Sequence, residues 1–131
     1  MKEALRAHLL ADAGVSALVG TRIAWGGRPR GSAMPSVALH LIDGQRDYAM
    51  QAPTGLVRAR VQADCWALTY ADATSTSRAV LAALSGLRQT VAGVQFQGIF
   101  AIDQRDLSED GTGADEVFYR ESLDFEIWHS E

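Results

Sequence analysis

The sequence predicts a two-layer α+β domain in which two helices pack on one face of a mainly antiparallel sheet. Apolar and polar residues alternate along most strand-like segments, which is typical of antiparallel strands with one solvated face. Two other segments place apolar residues at helical spacing. The predicted order is α-β-β-β-α-β-β-β. The chain has 131 residues without a repeat or long linker, so we expect a single domain over residues 1–131.

The first predicted element is a helix over residues 2–11. Leu5 and Leu9 lie four residues apart on one helical face, and charged residues occupy the other side. A short helical turn at 15–19 and a short strand at 22–25 are expected to follow.

Loops are predicted on both sides of the next strand. Residues 26–34 contain three glycines and a proline, a composition typical of a loop. Residues 36–43 alternate between two faces and predict a strand. Residues 44–55 contain Pro53 and two glycines, so we expect an exposed loop or a long hairpin connection.

The longest predicted strand, residues 56–68, leads directly into the main helix, residues 69–88. One face of the strand carries small apolar side chains, namely Val57, Ala59, Val61, Ala63 and Cys65. The other face is polar and aromatic, with Arg58, Arg60, Gln62, Asp64 and Trp66. Thr69 is expected to cap the helix. The buried stripe of the helix is predicted to comprise Ala73, Ser77, Val80, Leu81, Leu84 and Leu87.

Three strands complete the predicted fold. Residues 89–96 indicate a tight hairpin around Ala92-Gly93, and residues 97–105 continue as a strand. Residues 107–115 predict an acidic loop, and residues 116–128 predict the last strand. The polar face of that strand comprises Phe118, Arg120, Ser122, Asp124, Glu126 and Trp128.

The charges on the two longest strands suggest that these strands are neighbours in one particular register. If Arg58 faces Glu126, the antiparallel index sum also pairs Arg60 with Asp124, Asp64 with Arg120, and Trp66 with Phe118. Each such pair contributes about 0.2–1 kcal/mol, so the set could help to select the register. Coincidence among alternating charged strands is the other interpretation, and the sequence leaves both open.

The same charged face carries Trp66, Phe118 and Trp128. Aromatic residues and arginine are enriched where protein interfaces concentrate their binding energy, so a protein contact is one interpretation. A solvated face with scattered aromatic residues is the other.

The sequence contains no recognisable catalytic constellation. The net charge of −4 argues against a basic nucleic-acid binder. His8, His40 and His129 have no metal-ligand spacing, and the single Cys65 is expected to be buried. A calcium loop starting at Asp106 would place Val117 where a bidentate glutamate is required, so we reject it. No segment has the length of a membrane span.

Segments from one end of the chain to the other resemble a known family. They are LRAHLLADAGVSALVGTRI (5–23), MPSVALHLI (34–42), RDYAMQAPTGLVRARVQADCWALTYADA (46–73), GIFAIDQRDLSED (98–110) and FYRESLDFEIWHSE (118–131). In order and total length they resemble the tail-completion or tail-terminator proteins of long, non-contractile-tailed phages and gene transfer agents.

The resemblance implies a structural virion protein and no enzymatic activity. Such proteins form a homo-oligomeric ring, usually a hexamer, at the head-proximal end of the tail tube. The ring ends tube polymerisation and presents a surface to the head connector, after assembly in the bacterial host cytoplasm. The implied partners are other copies of the chain, the tail tube protein and the head connector or stopper protein, with DNA only in transit and no membrane. No catalytic residue, cofactor or metal is implied.

Other functions remain open at this stage. A head–tail joining (stopper or connector) protein of the same particle is the nearest alternative. A binding module unrelated to phage and a small hydrolase or metal enzyme are more distant ones.

Interface residues can be proposed by residue character, although each is also compatible with solvated surface. Candidates in predicted loops are Arg28, Arg30, Arg46, Asp47, Tyr48, Asp106, Glu109 and Asp110. Candidates on predicted strands, facing a neighbour or a channel, are Arg58, Arg60, Asp64, Trp66, Arg120, Asp124 and Glu126.

Overall fold

A computed structural model of the chain describes residues 1–27, 34–110 and 117–130. In these residues it contains three helices and six strands. The helices are α1 (Lys2–Ala11), α2 (Ala13–Val19) and α3 (Tyr70–Leu84). The strands are β1 (Ile23–Trp25), β2 (Ser36–Tyr48), β3 (Pro53–Ala67), β4 (Gln89–Val91), β5 (Val94–Asp110) and β6 (Val117–Ser130).

The strands form one sheet in the order β1-β2-β3-β6-β5-β4. Only β1 pairs in parallel, with β2, and the four other strand pairs of the described sheet are antiparallel. The helices pack on one face, where α3 contacts β3 and β6. The predicted α+β class is confirmed. The expected turn at 15–19 is a helix, α2, because the Asp12 side chain accepts a hydrogen bond from the Val15 N–H at 3.0 Å and caps it.

The core lies between the helices and the sheet. The predicted small face of β3 is buried throughout, with exposed fractions of 5% or less, so α3 can lie close against the strand. The largest buried side chains of the core are Leu5, Leu9, Ile23, Leu39, Leu84, Phe96, Ile99, Leu123, Phe125 and Ile127. The opposite face of the sheet has none of the described helices on it, and we call it the helix-free face.

Helix α3 begins as predicted and ends earlier than predicted. The Thr69 hydroxyl accepts a hydrogen bond from the Asp72 N–H at 3.1 Å, which confirms the expected cap. The helix was expected to reach residue 88 but ends at Leu84. Ser85 is extended, Gly86 has a φ of +77°, and the Gly86 N–H donates to the Ile99 carbonyl of β5 at 2.8 Å. This hydrogen bond to the sheet replaces a further helical turn.

Two regions predicted as loops are extensions of strands. Residues 44–55, expected to be an exposed loop or a long hairpin connection, form the outer end of a hairpin in which β2 runs to Tyr48 and β3 begins at Pro53. Pro53 by itself indicates a loop, but a proline is tolerated as the first residue of a strand. Likewise β5 continues to Asp110 and pairs with β6 as far as Val117, so the acidic segment is partly strand.

The tight hairpin predicted around Ala92-Gly93 is confirmed. Val91 pairs with Val94, and the two connecting residues have φ values of +48° and +82°. Positive φ at both positions is the geometry that a two-residue hairpin turn requires, and Gly93 meets it without steric cost.

The predicted neighbours, β3 and β6, are adjacent and antiparallel, but the predicted register is wrong by two residues. Arg60, not Arg58, lies opposite Glu126, and Arg58 lies opposite Trp128. Trp66 lies opposite Arg120 and not opposite Phe118. A shift of two residues keeps every side chain on its predicted face. The faces are therefore as expected although the pairs are not.

Candidate interaction surface

The strand residues singled out by charge lie together on the helix-free face. β3 contributes Arg58, Arg60, Asp64 and Trp66 to this face, and β6 contributes Arg120, Asp124 and Glu126. They share it because alternate residues of a strand point to the same side. Each expected opposite-charge pair is in contact, but diagonally. Arg58 Nε lies 3.0 Å from Glu126 Oε1, and Arg120 Nη1 lies 3.6 Å from Asp64 Oδ2.

Asp124 is a buried carboxylate held by two arginines. Its side chain is 4% exposed and accepts hydrogen bonds from Arg60 Nη2 at 2.8 Å and Arg105 Nη1 at 3.2 Å. Burial by itself would raise the pKa of Asp124, but the hydrogen bonds from Arg60 and Arg105 outweigh it and hold this pKa below its ordinary value. Asp103 also pairs with Arg105, so the cluster spans β3, β6 and β5.

Asp64 is the second buried carboxylate of this face. Its Oδ1 accepts hydrogen bonds from Ser122 Oγ at 2.6 Å and Gln62 Nε2 at 2.8 Å. Its Oδ2 lies 3.5 Å from His40 Nε2 of β2 and faces the guanidinium of Arg120. A buried carboxylate needs such partners to offset its lost hydration. This cluster joins β2, β3 and β6 across the face.

Tryptophan side chains extend both clusters. The Arg120 guanidinium lies 5.0 Å from the centre of the Trp66 ring, and that of Arg58 lies 5.7 Å from the Trp128 ring. Contacts of this kind are attractive by about 0.5–1 kcal/mol at exposed sites. The face thus consists of interlocked ion pairs and aromatic side chains, which fix the arginines in place.

The segment with Arg46, Asp47 and Tyr48 is the outer part of the β2–β3 hairpin. Thr54 Oγ1 donates to Asp47 Oδ2 at 2.8 Å and stiffens the hairpin near its tip. Tyr48 is 65% exposed, and Met50 at the tip is fully exposed. Three of the predicted candidates therefore lie together on the outer part of this hairpin.

The other loop candidates fall into three groups. Arg28 and Arg30 lie outside the described residues. Asp106 lies on β5, and its Oδ2 accepts a hydrogen bond from the Tyr70 hydroxyl at 2.6 Å. This hydrogen bond raises the pKa of Tyr70 above its ordinary value. Glu109 and Asp110 are backbone-paired residues of β5.

Three residues that tie the helix-free face together were not proposed as site residues from the sequence. Arg105 supports Asp124, and His40 and Gln62 contact Asp64. The alternation of β2 was an available signal, which would have placed His40 on this face once the strand order was known. Arg105 lies on this face because the bulge at Ile102 reverses the alternation of β5, and that bulge is not visible in the sequence pattern.

The thiol and the histidines have structural surroundings. Cys65 is fully buried, and burial, followed by the charges of Glu121 and Asp64, raises the pKa of its thiol. His8 Nε2 lies 3.0 Å from the Ala83 carbonyl and joins α1 to α3. Among the described residues, no group of three or more His, Cys, Asp or Glu side chains could hold a metal ion.

On the helical side, Glu121 is buried under α3. Ser77 Oγ donates to Glu121 Oε1 at 3.0 Å, and Gln104 Nε2 donates to the same oxygen.

None of the described helices has the length and apolar character needed to cross a membrane.

Comparison with known proteins identifies the family. The profile of the family described as tail completion protein gp17 matches residues 3–130. No curated protein matches the sequence.

Among solved structures, a chain from the virion of a native gene transfer agent particle shares the fold, with a TM-score of 0.75 and 22% identity. The match covers 100% of this chain and 95% of that one. A second solved structure overlaps with a TM-score of only 0.44 at 12% identity, over 97% of this chain and 95% of that one. Because the family profile spans nearly the whole sequence, the chain belongs to the tail completion protein gp17 family, a family of structural proteins of phage tails.

Proposed function

We propose that this chain forms a closed ring on the head-proximal end of a phage or gene transfer agent tail tube. There it ends the addition of tube subunits and presents a surface for head attachment. The observation that carries the proposal is the family match over residues 3–130, together with a fold shared with a chain of a gene transfer agent virion. The role is geometric: one ring face copies the binding surface of a tube subunit, and the other face offers no site for a further one.

The charge arrangement of the helix-free face supports a lining that DNA passes without being held. Its four arginines on β3, β5 and β6 each contact a carboxylate, in the pairs Arg58–Glu126, Arg60–Asp124, Arg105–Asp124 and Arg120–Asp64. Affinity for DNA grows with the number of phosphates that cations neutralise. Arginines already engaged by carboxylates contribute little to that number. Contact with a neighbouring subunit is the other role proposed for these residues.

The remaining parts of the proposal follow from the family. We propose a single domain, a ring of six copies, contacts with the tail tube protein on one side and the head connector or stopper on the other, and a location at the head–tail junction. The proposed contact residues include Arg28, Arg30, Arg46, Asp47 and Tyr48, of which the last three lie on the outer part of the β2–β3 hairpin.

Deletion of the gene in its phage or gene transfer agent tests the proposal. Loss of a tail terminator predicts overlong tails without heads in electron micrographs, and a plasmid copy of the wild-type gene should restore normal length. Tails of normal length beside separate, filled heads would instead indicate the head–tail joining role. Normal, infectious or DNA-transferring particles after deletion would refute both roles.

A further inference from the structure

Two strands of the sheet have long edges to which no described strand pairs. β1 covers β2 only at residues 37–39, where the Gly26 N–H also donates to the Leu39 carbonyl. β4 covers β5 only at residues 94–96, and the Gly86 N–H donates to the Ile99 carbonyl. Within the described part of the chain, residues 40–48 of β2 and 100–110 of β5 therefore have uncovered edges. A strand edge of this kind is a template for pairing with another chain.

The exposed apolar side chains are concentrated on these two edges. Of the nine large hydrophobic residues that are exposed in the described part of the chain, six belong to them: Leu41, Ile42, Tyr48, Phe100, Ile102 and Leu107. Charged side chains and bulges are two separate features that protect an unpaired sheet edge. An aspartate follows the bulge after Leu41 and the bulge after Ala101, but the extra residue within each of these two bulges is an exposed isoleucine, Ile42 with 53% exposure and Ile102 with 47%.

The two bulges lie at the same height of the sheet, on opposite sides. Through the registers of the four central strands, Leu41 is level with Val61, Phe125 and Ala101. Ile42 and Ile102 are the residues that follow Leu41 and Ala101. They are therefore within about one residue of a common level, roughly 3–4 Å along the strands.

Strand direction also suits a second copy of the chain. Because β2, β3, β6 and β5 are antiparallel in turn, β2 and β5 run in opposite directions. Rotating a copy about an axis along the strands keeps strand directions and keeps the helices on the same side. The β2 edge of one copy then meets the β5 edge of the next as an antiparallel pair. Because the two bulges lie within about one residue of a common level, the copies need almost no step along the axis, as a closed ring requires.

We propose that residues 40–43 of one copy pair with residues 100–103 of the next, with the bulge residues Ile42 and Ile102 beside each other. This inference rests on the proposed ring and names the surfaces that join it. In this register Leu41 faces Ala101, Asp43 faces Phe100 and Asp103 faces His40, so opposed residues lie on the same face of the sheet and the two aspartates are not opposed. The pairing ends at Leu39 on one strand and at Ile99 on the other, because the carbonyls of these residues already accept hydrogen bonds from the Gly26 and Gly86 N–H groups.

A groove across β3, β6 and β5 lies level with the outer part of the β2–β3 hairpin of the neighbouring copy. The groove has a volume of about 560 Å³ and is lined by Leu56, Gln97, Gly98, Phe100 and Trp128. Its Gly98 is level with Gln45, through Trp128 and Arg58. The outer part of the neighbour's β2–β3 hairpin therefore lies at the height of the groove.

Disulfide cross-linking tests the pairing. Both isoleucines are about half exposed, so the double variant Ile42→Cys/Ile102→Cys should fold like the wild type, and buried Cys65 is present in every sample. After oxidation and blocking of free thiols, we expect a ladder on a denaturing, non-reducing gel. Its largest band gives the number of subunits in the ring. Mixing the two single variants should give dimers and nothing larger.

A second cysteine pair on the same edges controls for chance contact. Tyr48→Cys and Leu107→Cys are also exposed, but these positions are separated by about 35 Å in height, so they should give no ladder. A ladder from this pair instead of the isoleucine pair would show stepped copies and overturn the inference.

The charge variant Ile42→Glu provides a measurement that does not need cysteines. We expect it to remain folded and to lose the ring in native mass spectrometry, whereas Leu68→Glu, equally exposed but off these edges, should keep it. A wild-type ring with no isoleucine ladder, or a ring that persists in Ile42→Glu, contradicts the edge pairing alone. A wild-type chain that stays monomeric and gives no ladder contradicts the ring as well.

Discussion

Replacing Asp124 by asparagine tests whether the ion pairs of the helix-free face stabilise the fold. The carboxylate accepts charge-assisted hydrogen bonds from Arg60 and Arg105. Such bonds contribute about 1.5–3 kcal/mol each, against about 0.5–1.5 for neutral ones, so an amide of the same shape loses about 1 kcal/mol per arginine. The side chains of Arg60 and Arg105 are 45% and 39% exposed, so their guanidinium groups can regain water, which reduces the loss. We expect the free energy of unfolding to fall by about 1–2 kcal/mol.

Urea unfolding at neutral pH measures this change, and thermal unfolding should show a midpoint lower by about 4–8 °C. Asp103→Asn is the matched control, because Asp103 contacts the same Arg105 but is 45% exposed. Its loss should stay below about 0.5 kcal/mol. Equal losses in the two variants would refute the argument that burial makes Asp124 the important partner.

The pH dependence gives an independent check. The folded state lowers the pKa of Asp124, so its ionised form contributes stability above the ordinary pKa of an aspartate, which is 3.8. That contribution is lost as the pH falls through the lowered folded pKa. The difference between wild type and Asp124→Asn should therefore be constant near neutral pH and shrink below about pH 4. A difference that is unchanged at pH 3 would contradict the assigned cause.

Three further predictions concern the fold. Thr69→Ala should lower the free energy of unfolding by about 1 kcal/mol in urea, because it removes the cap of α3; an unchanged midpoint would contradict the capping role. Gly86→Ala should lower the free energy of unfolding by about 1 kcal/mol or more in the same assay, because the φ of Gly86 is +77°. Gly44→Ala should lower it less, because Gly44 has a φ outside the left-handed region and an added Cβ would meet no atom within 4 Å. The reverse order would refute the argument. Cys65 should react with a thiol reagent only as fast as the protein opens, so added urea should accelerate labelling; rapid labelling of the native protein would show an exposed thiol.

Elements defined by local rules were predicted well. The bounds of α1, the Thr69 cap and the small buried face of β3 depend on residue spacing and capping, which are visible in a short segment. The lengths of the two long hairpins were underestimated. Glycine and proline weaken a strand locally, but partner strands hold these segments in the sheet, and the identity of the partner is not a local property.

The sequence predicted that the strand candidates of β3 and β6 share one face, but it did not predict which of them lie opposite each other. Charge alone does not separate registers that differ by two residues, because an arginine is long enough to reach its carboxylate diagonally. Arg58 reaches Glu126, and Arg60 reaches Asp124, although neither pair is directly opposed.

The aromatic residues explain why the observed register is favourable. The predicted register would place Trp66 opposite Phe118. It would place Trp128 opposite none of the polar-face residues of β3, which run from Arg58 to Trp66. In the observed register each tryptophan lies directly opposite an arginine, Trp66 against Arg120 and Trp128 against Arg58. The observed register therefore keeps the ion pairs that the predicted register was expected to form, as diagonal contacts. It also adds two cation–π contacts of about 0.5–1 kcal/mol each. Because these arginines are then held both by a carboxylate and by a ring, they have little side-chain freedom left to lose in the contact with a neighbouring subunit that is proposed above.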